Sequence, residues 1–137
     1  MASKDYIQTV DANILLRIIL NDVPSQTDKA IHLLLDDACT FIIPDVVFCE
    51  MVHILSKNIG YPRRQVAEEI TRTLSAFYNL SYDLHIVTEV FHEYVAHPAL
   101  SFEDCYLAYY ATKNSATPLW TFDKKLVQSL PNVKEPK

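Results

Sequence analysis

The sequence predicts an α/β fold with a central, mostly parallel sheet of short strands. Short apolar segments with strand-like composition alternate with longer segments whose apolar residues recur at helical spacing. Strands separated by helices pair in parallel, because the helix returns the chain to the same end of the sheet. The chain has 137 residues, half of them hydrophobic, which is enough to bury a core without disulfides. We therefore predict a single domain over residues 1–137.

Two strands and four helices are predicted in the first part of the chain. The strands are residues 5–10 and residues 40–44, which end at Pro44. The helices are residues 12–20, 25–38 and 45–58 and a segment from Pro62 to about Leu80. Asp45 is a possible N-cap of the third helix, and Gly60 follows its end, where glycine commonly terminates helices.

The second part of the chain repeats this alternation. Strands are predicted at 83–87 and 117–122, with a last edge strand at 132–135. Helices are predicted at 88–97, within 99–111 after a Ser101 cap, and at 123–130. In such a fold, ligands bind in the crevice beyond the carboxyl ends of the parallel strands.

Composition narrows the classes of function. The single glycine, Gly60, excludes a P-loop, a dinucleotide-binding turn and a nucleophile elbow, because each needs more than one glycine. A net charge of −5 argues against binding nucleic acid by bulk electrostatics, but it is compatible with a local basic rim or a metal. Three widely spaced cysteines, no long apolar run and no signal-peptide pattern predict a cytoplasmic protein without a membrane span.

Four acidic residues lie where a small protein usually places core residues or helix caps. Asp11 follows the first strand and Asp123 follows the strand at 117–122, so both are expected at the carboxyl edge of the sheet. Glu50 and Asp104 each lie on an apolar helix face by their spacing. We expect the four carboxylates to converge on one crevice.

Each acid also has a simpler interpretation. Asp11 and Asp123 could be N-caps, Asp104 could complete a capping box begun by Ser101, and Glu50 could point into solvent. Capping and clustering are compatible, because the positive end of a helix dipole stabilises carboxylates. Clustered carboxylates repel one another, and a divalent cation removes that repulsion. Oxygen ligands without His or Cys favour Mg²⁺ or Mn²⁺ over zinc.

Four sequence segments occur in a recognisable order and spacing: VDANILL (10–16), CEMVHIL (49–55), FEDCYLAYYA (102–111) and LWTFDKKL (119–126). Together they resemble the PIN-domain ribonucleases, most closely the small bacterial toxins of the VapC type, and the resemblance extends over about residues 5–134. Ala12 stands where that family often has Thr or Ser, and Cys105 stands where it usually has Ala. Neither departure removes an acidic residue. The resemblance implies a PIN-like three-layer α/β/α sandwich.

The resemblance also implies a metal-dependent endoribonuclease. Its catalytic and metal-binding residues are expected to be Asp11, Glu50, Asp104 and Asp123, with Mg²⁺ or Mn²⁺ as the cofactor. The resemblance gives Asn13 and Thr121 the role of orienting ligands or phosphate, and Arg17 and Lys124 are basic residues expected to contact RNA. Glu103 projects about 100° away from Asp104 on a helix and is expected to be peripheral.

The resemblance also implies binding partners, and other functions compete with the one it implies. The resemblance implies a homodimer, and a cognate antitoxin whose Arg or Lys enters the acid cluster. The alternatives are an RNA-processing nuclease outside a toxin-antitoxin pair and a catalytically silent binding module of the same fold. An aspartyl phosphotransferase is disfavoured because Asn13 replaces the second Asp of the Asp-x-Asp motif. Tyr106, Tyr109 and Tyr110 could stack RNA bases, but aromatic residues at helical spacing usually pack in the core.

Overall fold

The computed structural model describes residues 6–137, which form two compact units. The first unit ends at Asp83, and the second runs from Leu84 to Lys137. The first contains β1 (Tyr6–Thr9), α1 (Ala12–Leu20), α2 (Pro24–Leu34), β2 (Cys39–Ile42), α3 (Asp45–His53), a π-helical segment (Ile54–Ile59), α4 (Arg63–Ser75) and β3 (Leu80–Ser81). The second contains a π-helical segment (Ile86–Val90), α5 (Phe91–Ala96), α6 (Phe102–Lys113), β4 (Leu119–Trp120), α7 (Lys124–Ser129) and β5 (Val133–Lys134).

The first unit is built on a parallel sheet in the order β1-β2-β3. Thr9 pairs with Ile42, and the amide of Val10 donates to the carbonyl of Ile42 at 3.1 Å. The sheet ladder therefore reaches Val10, and Asp11 comes directly after the carboxyl end of β1. Helix α1 packs against α2, α3 and α4, and the fully buried core includes Phe41 and Phe48.

A buried asparagine ties the end of α2 to the start of β2. The side-chain amide of Asn79 donates to the carbonyls of Leu34, Asp36 and Cys39, each at 3.1 Å. The side-chain oxygen of Asn79 is also buried, and it accepts no hydrogen bond from the described residues 6–137. The amide has two hydrogens, so the three carbonyls share them, and the side chain thereby links the end of α2, the turn and the first residue of β2.

The second unit has a smaller parallel sheet, in which β4 pairs with β5 and Leu119 lies opposite Val133. Helix α6 packs against α5 and the preceding π-helical segment. Phe102 contacts two buried aromatic rings, with centroids 5.2 Å from Phe91 and 5.8 Å from Tyr94. Every strand pair within residues 6–137 is parallel, which confirms the α/β prediction. Within residues 6–137, no helix has the length and apolar character needed to cross a membrane.

The predicted strand at 83–87 is wrong. Residues 84–96 are helical, and the strand of this region is β3 at Leu80–Ser81. Ile86 and Val90 are both buried and four residues apart, so helical spacing determines the structure of this short apolar segment.

Several predicted boundaries also differ. The helices predicted at 25–38 and from Pro62 to Leu80 end earlier, at Leu34 and Ser75. After α2 the chain turns because the Asp36 carboxylate accepts a hydrogen bond from the amide of Ala38 at 3.1 Å. Asp45 is the first residue of α3 and not its N-cap, which is Pro44 in extended conformation. Asp5, in the predicted first strand, lies outside the described residues.

Candidate active site

Asp11 is the N-cap of α1. Its backbone is extended, and its Oδ1 accepts a hydrogen bond from the amide of Ile14 at 3.3 Å. The side chain is exposed, whereas the next residue, Ala12, is fully buried. A Ser or Thr in place of Ala12 would place a hydroxyl at this buried position, where it would need a hydrogen-bond partner.

Glu50 lies on the exposed side of α3. Its side chain is exposed, and Val46, one turn earlier, is 71% exposed. Val47 and Met51 on the same helix are buried. Glu50 therefore faces solvent within its unit, and its carboxylate has no hydrogen bond or ion pair within residues 6–137.

Asp104 lies in the first turn of α6 and forms a capping box with Ser101. The amide of Asp104 donates to Ser101 Oγ at 3.1 Å, and Asp104 Oδ2 accepts from the amide of Ser101 at 3.1 Å. The predicted cap at Ser101 is confirmed. Asp104 is half-buried, on a helix face that includes the exposed Leu107 and the buried Ala111.

Asp123 is the N-cap of α7, and Thr121 fixes its backbone. Asp123 Oδ1 accepts from the amides of Lys125 at 2.9 Å and Leu126 at 3.4 Å. The amide of Asp123 donates to Thr121 Oγ1 at 3.0 Å. The amide of Thr121 in turn donates to the carbonyl of Lys134 at 3.0 Å. The pairing of β4 with β5 therefore positions Asp123 through Thr121.

The three aspartates have one feature in common. In each, a single carboxylate oxygen accepts every hydrogen bond that the side chain makes within residues 6–137: Oδ1 of Asp11, Oδ2 of Asp104 and Oδ1 of Asp123. The second oxygen is not used to cap the helix. Each aspartate can therefore cap its helix and still offer one oxygen to a ligand.

The donor chemistry of the four acids fits a hard divalent cation such as Mg²⁺ or Mn²⁺, because every candidate ligand is a carboxylate oxygen. Asp11 and Glu50 belong to the first unit, and Asp104 and Asp123 belong to the second. Among residues 6–137, no group of three or more His, Cys, Asp or Glu side chains is arranged to hold a metal ion. The convergence of all four acids stays a prediction.

The predicted polar and basic residues differ in their surroundings. Asn13 is exposed in the first turn of α1. Arg17 forms an ion pair with Asp22, with Nη1 and Oδ1 2.6 Å apart, so its charge is balanced locally. Lys124 is exposed, directly follows Asp123, and has no acidic partner within the described chain. Of the two predicted RNA contacts, Lys124 carries the more available charge.

The tyrosines of α6 do not all pack in the core. Tyr110 is 51% exposed, and Tyr106 and Tyr109 are half-buried. Tyr106 and the exposed Lys113 are seven residues apart and share a helix face. Because a lysine is rarely buried, Lys113 on the same helix face as Tyr106 indicates from the sequence that this face is partly exposed.

These features define an α/β protein with parallel strands, in which Asp11 and Asp123 start the helices that follow β1 and β4 and Asp104 lies in the first turn of α6. The family model of the PIN domain matches residues 9–129. The chain therefore belongs to the PIN domain family, whose members are generally nucleases. No curated protein matches the chain.

Proposed function

We propose that this chain is a metal-dependent endoribonuclease that hydrolyses phosphodiester bonds of RNA with Mg²⁺ or Mn²⁺ as its cofactor. Membership of the PIN family supports a nuclease. The observation that carries the proposal is the second carboxylate oxygen of Asp11, Asp104 and Asp123, which accepts no hydrogen bond from the part of the chain that the structure describes. A metal can bind these oxygens without breaking a helix cap.

We infer that the catalytic residues and metal ligands are Asp11, Glu50, Asp104 and Asp123. When bound, the ion supplies an activated water and offsets the charge on the phosphate. Thr121 holds Asp123 in place through its backbone, which is a positioning role. Asn13 is proposed to orient the phosphate, and Lys124 to contact the RNA backbone. Arg17 would contribute less because Asp22 already neutralises it.

We further propose that the chain is one PIN domain over residues 1–137 and the toxin of a type II toxin-antitoxin pair, acting in the cytoplasm. The support is the resemblance of its four motif segments to VapC-type toxins. A homodimer and a cognate antitoxin are the expected partners. Induced expression in bacteria is expected to arrest growth, and Asp104→Asn is expected to abolish the arrest. If both proteins arrest growth equally, the effect does not come from cleavage.

The direct test is cleavage of a mixed single-stranded RNA pool. We expect cutting with Mg²⁺ or Mn²⁺, none with EDTA, and none by Asp104→Asn. The products should carry 5′-phosphates, because water and not the ribose 2′-hydroxyl attacks; a 5′-phosphate-dependent exonuclease reports this. Cutting that persists in EDTA would overturn the metal-dependent mechanism.

Glu50→Gln tests the acid that has no capping role. Glu50 is exposed and makes no hydrogen bond within the described chain, so its substitution is expected to leave stability within about 0.5 kcal/mol. We expect the rate of RNA cleavage to fall nonetheless. An unchanged rate, with the Asp104→Asn variant inactive, would remove Glu50 from the proposed ligand set.

A further inference from the structure

One face of α6 carries a row of aromatic rings that continues onto the preceding helical region. Tyr106, Tyr109 and Tyr110 lie at positions i, i+3 and i+4, which share a helix face. The ring centroid of Tyr106 is 6.3 Å from that of Tyr109 and 6.1 Å from that of Tyr110. The ring of His85 stacks on Tyr109, with centroids 6.3 Å apart and an interplanar angle of 27°. We call these four residues the aromatic row.

The ends of the aromatic row are accessible. Tyr110 is 51% exposed, and the side chain of His85 is 66% exposed. Tyr106 and Tyr109 between them are half-buried, and each ring contacts neighbouring rings of the row. Rings that already pack against one another can receive a further planar group at an exposed end with less loss of side-chain entropy than isolated rings.

A positive charge lies beside the aromatic row, next to its interior ring Tyr109. Lys113 Nζ lies over the ring of Tyr109, 5.8 Å from its centroid, and Lys113 is exposed at the end of α6. An acidic residue is also close, because Glu89 Oε2 is 3.5 Å from Nδ1 of His85, the ring that stacks on Tyr109. Aromatic faces beside a cation bind single-stranded nucleic acid, in which unpaired bases stack and phosphates meet the cation.

We propose that the aromatic row is a base-stacking subsite for single-stranded RNA, with Lys113 contacting a phosphate. The inference rests on the proposed ribonuclease function and adds to it a surface that binds the substrate. By helical geometry the side chain of Asp104 points away from the row, since Tyr106 is rotated by about 200° from it. The row therefore binds nucleotides that flank the cleaved bond, and it is a positioning surface that takes no part in the chemistry.

The test is RNA binding by fluorescence anisotropy with the full chain in EDTA, so that metal-dependent cleavage does not interfere. Tyr110→Ala is expected to weaken binding of a single-stranded oligomer by about 5-fold or more. Tyr110→Phe keeps the ring and should bind like wild type. Tyr78→Ala is the matched control, because Tyr78 is a tyrosine in the first unit that is 82% exposed. Binding of duplex RNA should not change in any variant, since paired bases cannot stack on the row.

The salt dependence of RNA affinity tests the role of Lys113 separately. Lys113→Ala is expected to lower the slope of log affinity against log salt by about 0.7, the value for one lost phosphate contact on a single strand. Lys29→Ala, an exposed lysine in α2, should leave the slope unchanged. If Tyr110→Ala misfolds, cross-linking of wild type to RNA containing 4-thiouridine replaces it. Cross-links at His85 or Tyr110 support the subsite, and cross-links confined to residues before Asp83 overturn it.

The remaining outcomes separate the two proposals. Equal binding by Tyr110→Ala and wild type overturns the subsite, whether or not the protein cleaves RNA. Loss of binding in Tyr110→Ala alone supports the subsite even if no metal produces cleavage, in which case only the nuclease proposal fails. A change of molecular mass in Tyr110→Ala, with RNA affinity unchanged, would assign the row to a protein–protein contact.

Discussion

Two regions of the molecule use aspartate differently: the starts of α1, α6 and α7, and the turn between α2 and β2. At the helix starts, Asp11, Asp104 and Asp123 each use one carboxylate oxygen for the fold. In the turn, Asp36 uses both: Oδ1 accepts from the amide of Ala38 at 3.1 Å, and Oδ2 accepts from the thiol of Cys39 at 3.5 Å. The number of carboxylate oxygens that accept no hydrogen bond within the described residues therefore distinguishes aspartates that can bind a ligand from an aspartate that only stabilises a turn.

The same contrast explains how helix caps and a functional site can share residues. A cap needs one acceptor oxygen, so it does not compete with a metal for the second oxygen. Amides at a helix start also favour the charged carboxylate. Capping and ligand binding are thus separable by substitution, because Asn keeps an acceptor oxygen but loses the charge.

The largest expected effect is the loss of cleavage in Asp104→Asn, compared with Asp36→Asn as a matched control. A metal ligand contributes several kcal/mol to transition-state stabilisation, so kcat/KM should fall by about 100-fold or more. Because Asn still accepts the hydrogen bond from Ser101, the free energy of unfolding should change by less than about 1 kcal/mol. Asp36→Asn should retain cleavage. Equal loss in both variants would mean that the distinction between the two kinds of aspartate is wrong.

The second effect is on stability and concerns the turn. Asn79→Ala removes the donor of three hydrogen bonds to the carbonyls of Leu34, Asp36 and Cys39. We expect the free energy of unfolding, measured in urea, to fall by about 2–3 kcal/mol. Cleavage by the folded fraction should be unchanged, since Asn79 touches none of the proposed catalytic acids. A variant as stable as wild type would show that water satisfies these carbonyls equally well.

A third, smaller effect tests the capping box at the start of α6. Ser101→Ala should lower the free energy of unfolding by about 1 kcal/mol, because the amide of Asp104 loses its acceptor. Ser101→Asn should restore most of it, since Asn is also a good N-cap. Asp104 keeps its bond from the Ser101 amide in both variants, so cleavage should fall far less than in Asp104→Asn. A loss of cleavage as large as that of Asp104→Asn would mean that the cap itself positions the catalytic carboxylate.

Local signals in the sequence predicted the helix starts but not the turn between α2 and β2, which the prediction placed inside the helix at 25–38. The cap at Ser101 and the N-caps at Asp11 and Asp123 each depend on residues two or three positions apart. Parallel pairing was predictable from the alternation of strands and helices, because a helix between two strands limits how those strands can be arranged.

The features that sequence reasoning missed depend on contacts between distant residues. Asn79 bonds carbonyls 40 to 45 positions earlier, and nothing in its immediate sequence indicates that role. The segment 83–87 is short and largely apolar, so the spacing of its apolar residues did not distinguish a strand from a helix. Tyr110 is exposed, whereas α5 and the preceding π-helical segment pack against α6. Helical spacing alone did not reveal which face of α6 these elements would leave uncovered.

The smallest expected effect is a pH dependence of the free energy of unfolding, which comes from Cys39 beside the turn and not from the aspartates at the helix starts. Burial, together with the hydrogen bond to Asp36 and its charge, raises the pKa of the Cys39 thiol above its ordinary value. The unfolded chain releases this proton at pH values near its ordinary pKa of about 8.5, where the folded chain still holds it. Stability is therefore expected to fall as pH rises through that range toward the raised pKa of the folded state. Urea unfolding at a series of pH values should show this component in wild type and in Asp104→Asn, show less of it in Asp36→Asn, and show none in Cys39→Ala. If Cys39→Ala declines as steeply as wild type, other groups cause the decline, and the second oxygen of Asp36 has no measurable part in holding the thiol protonated.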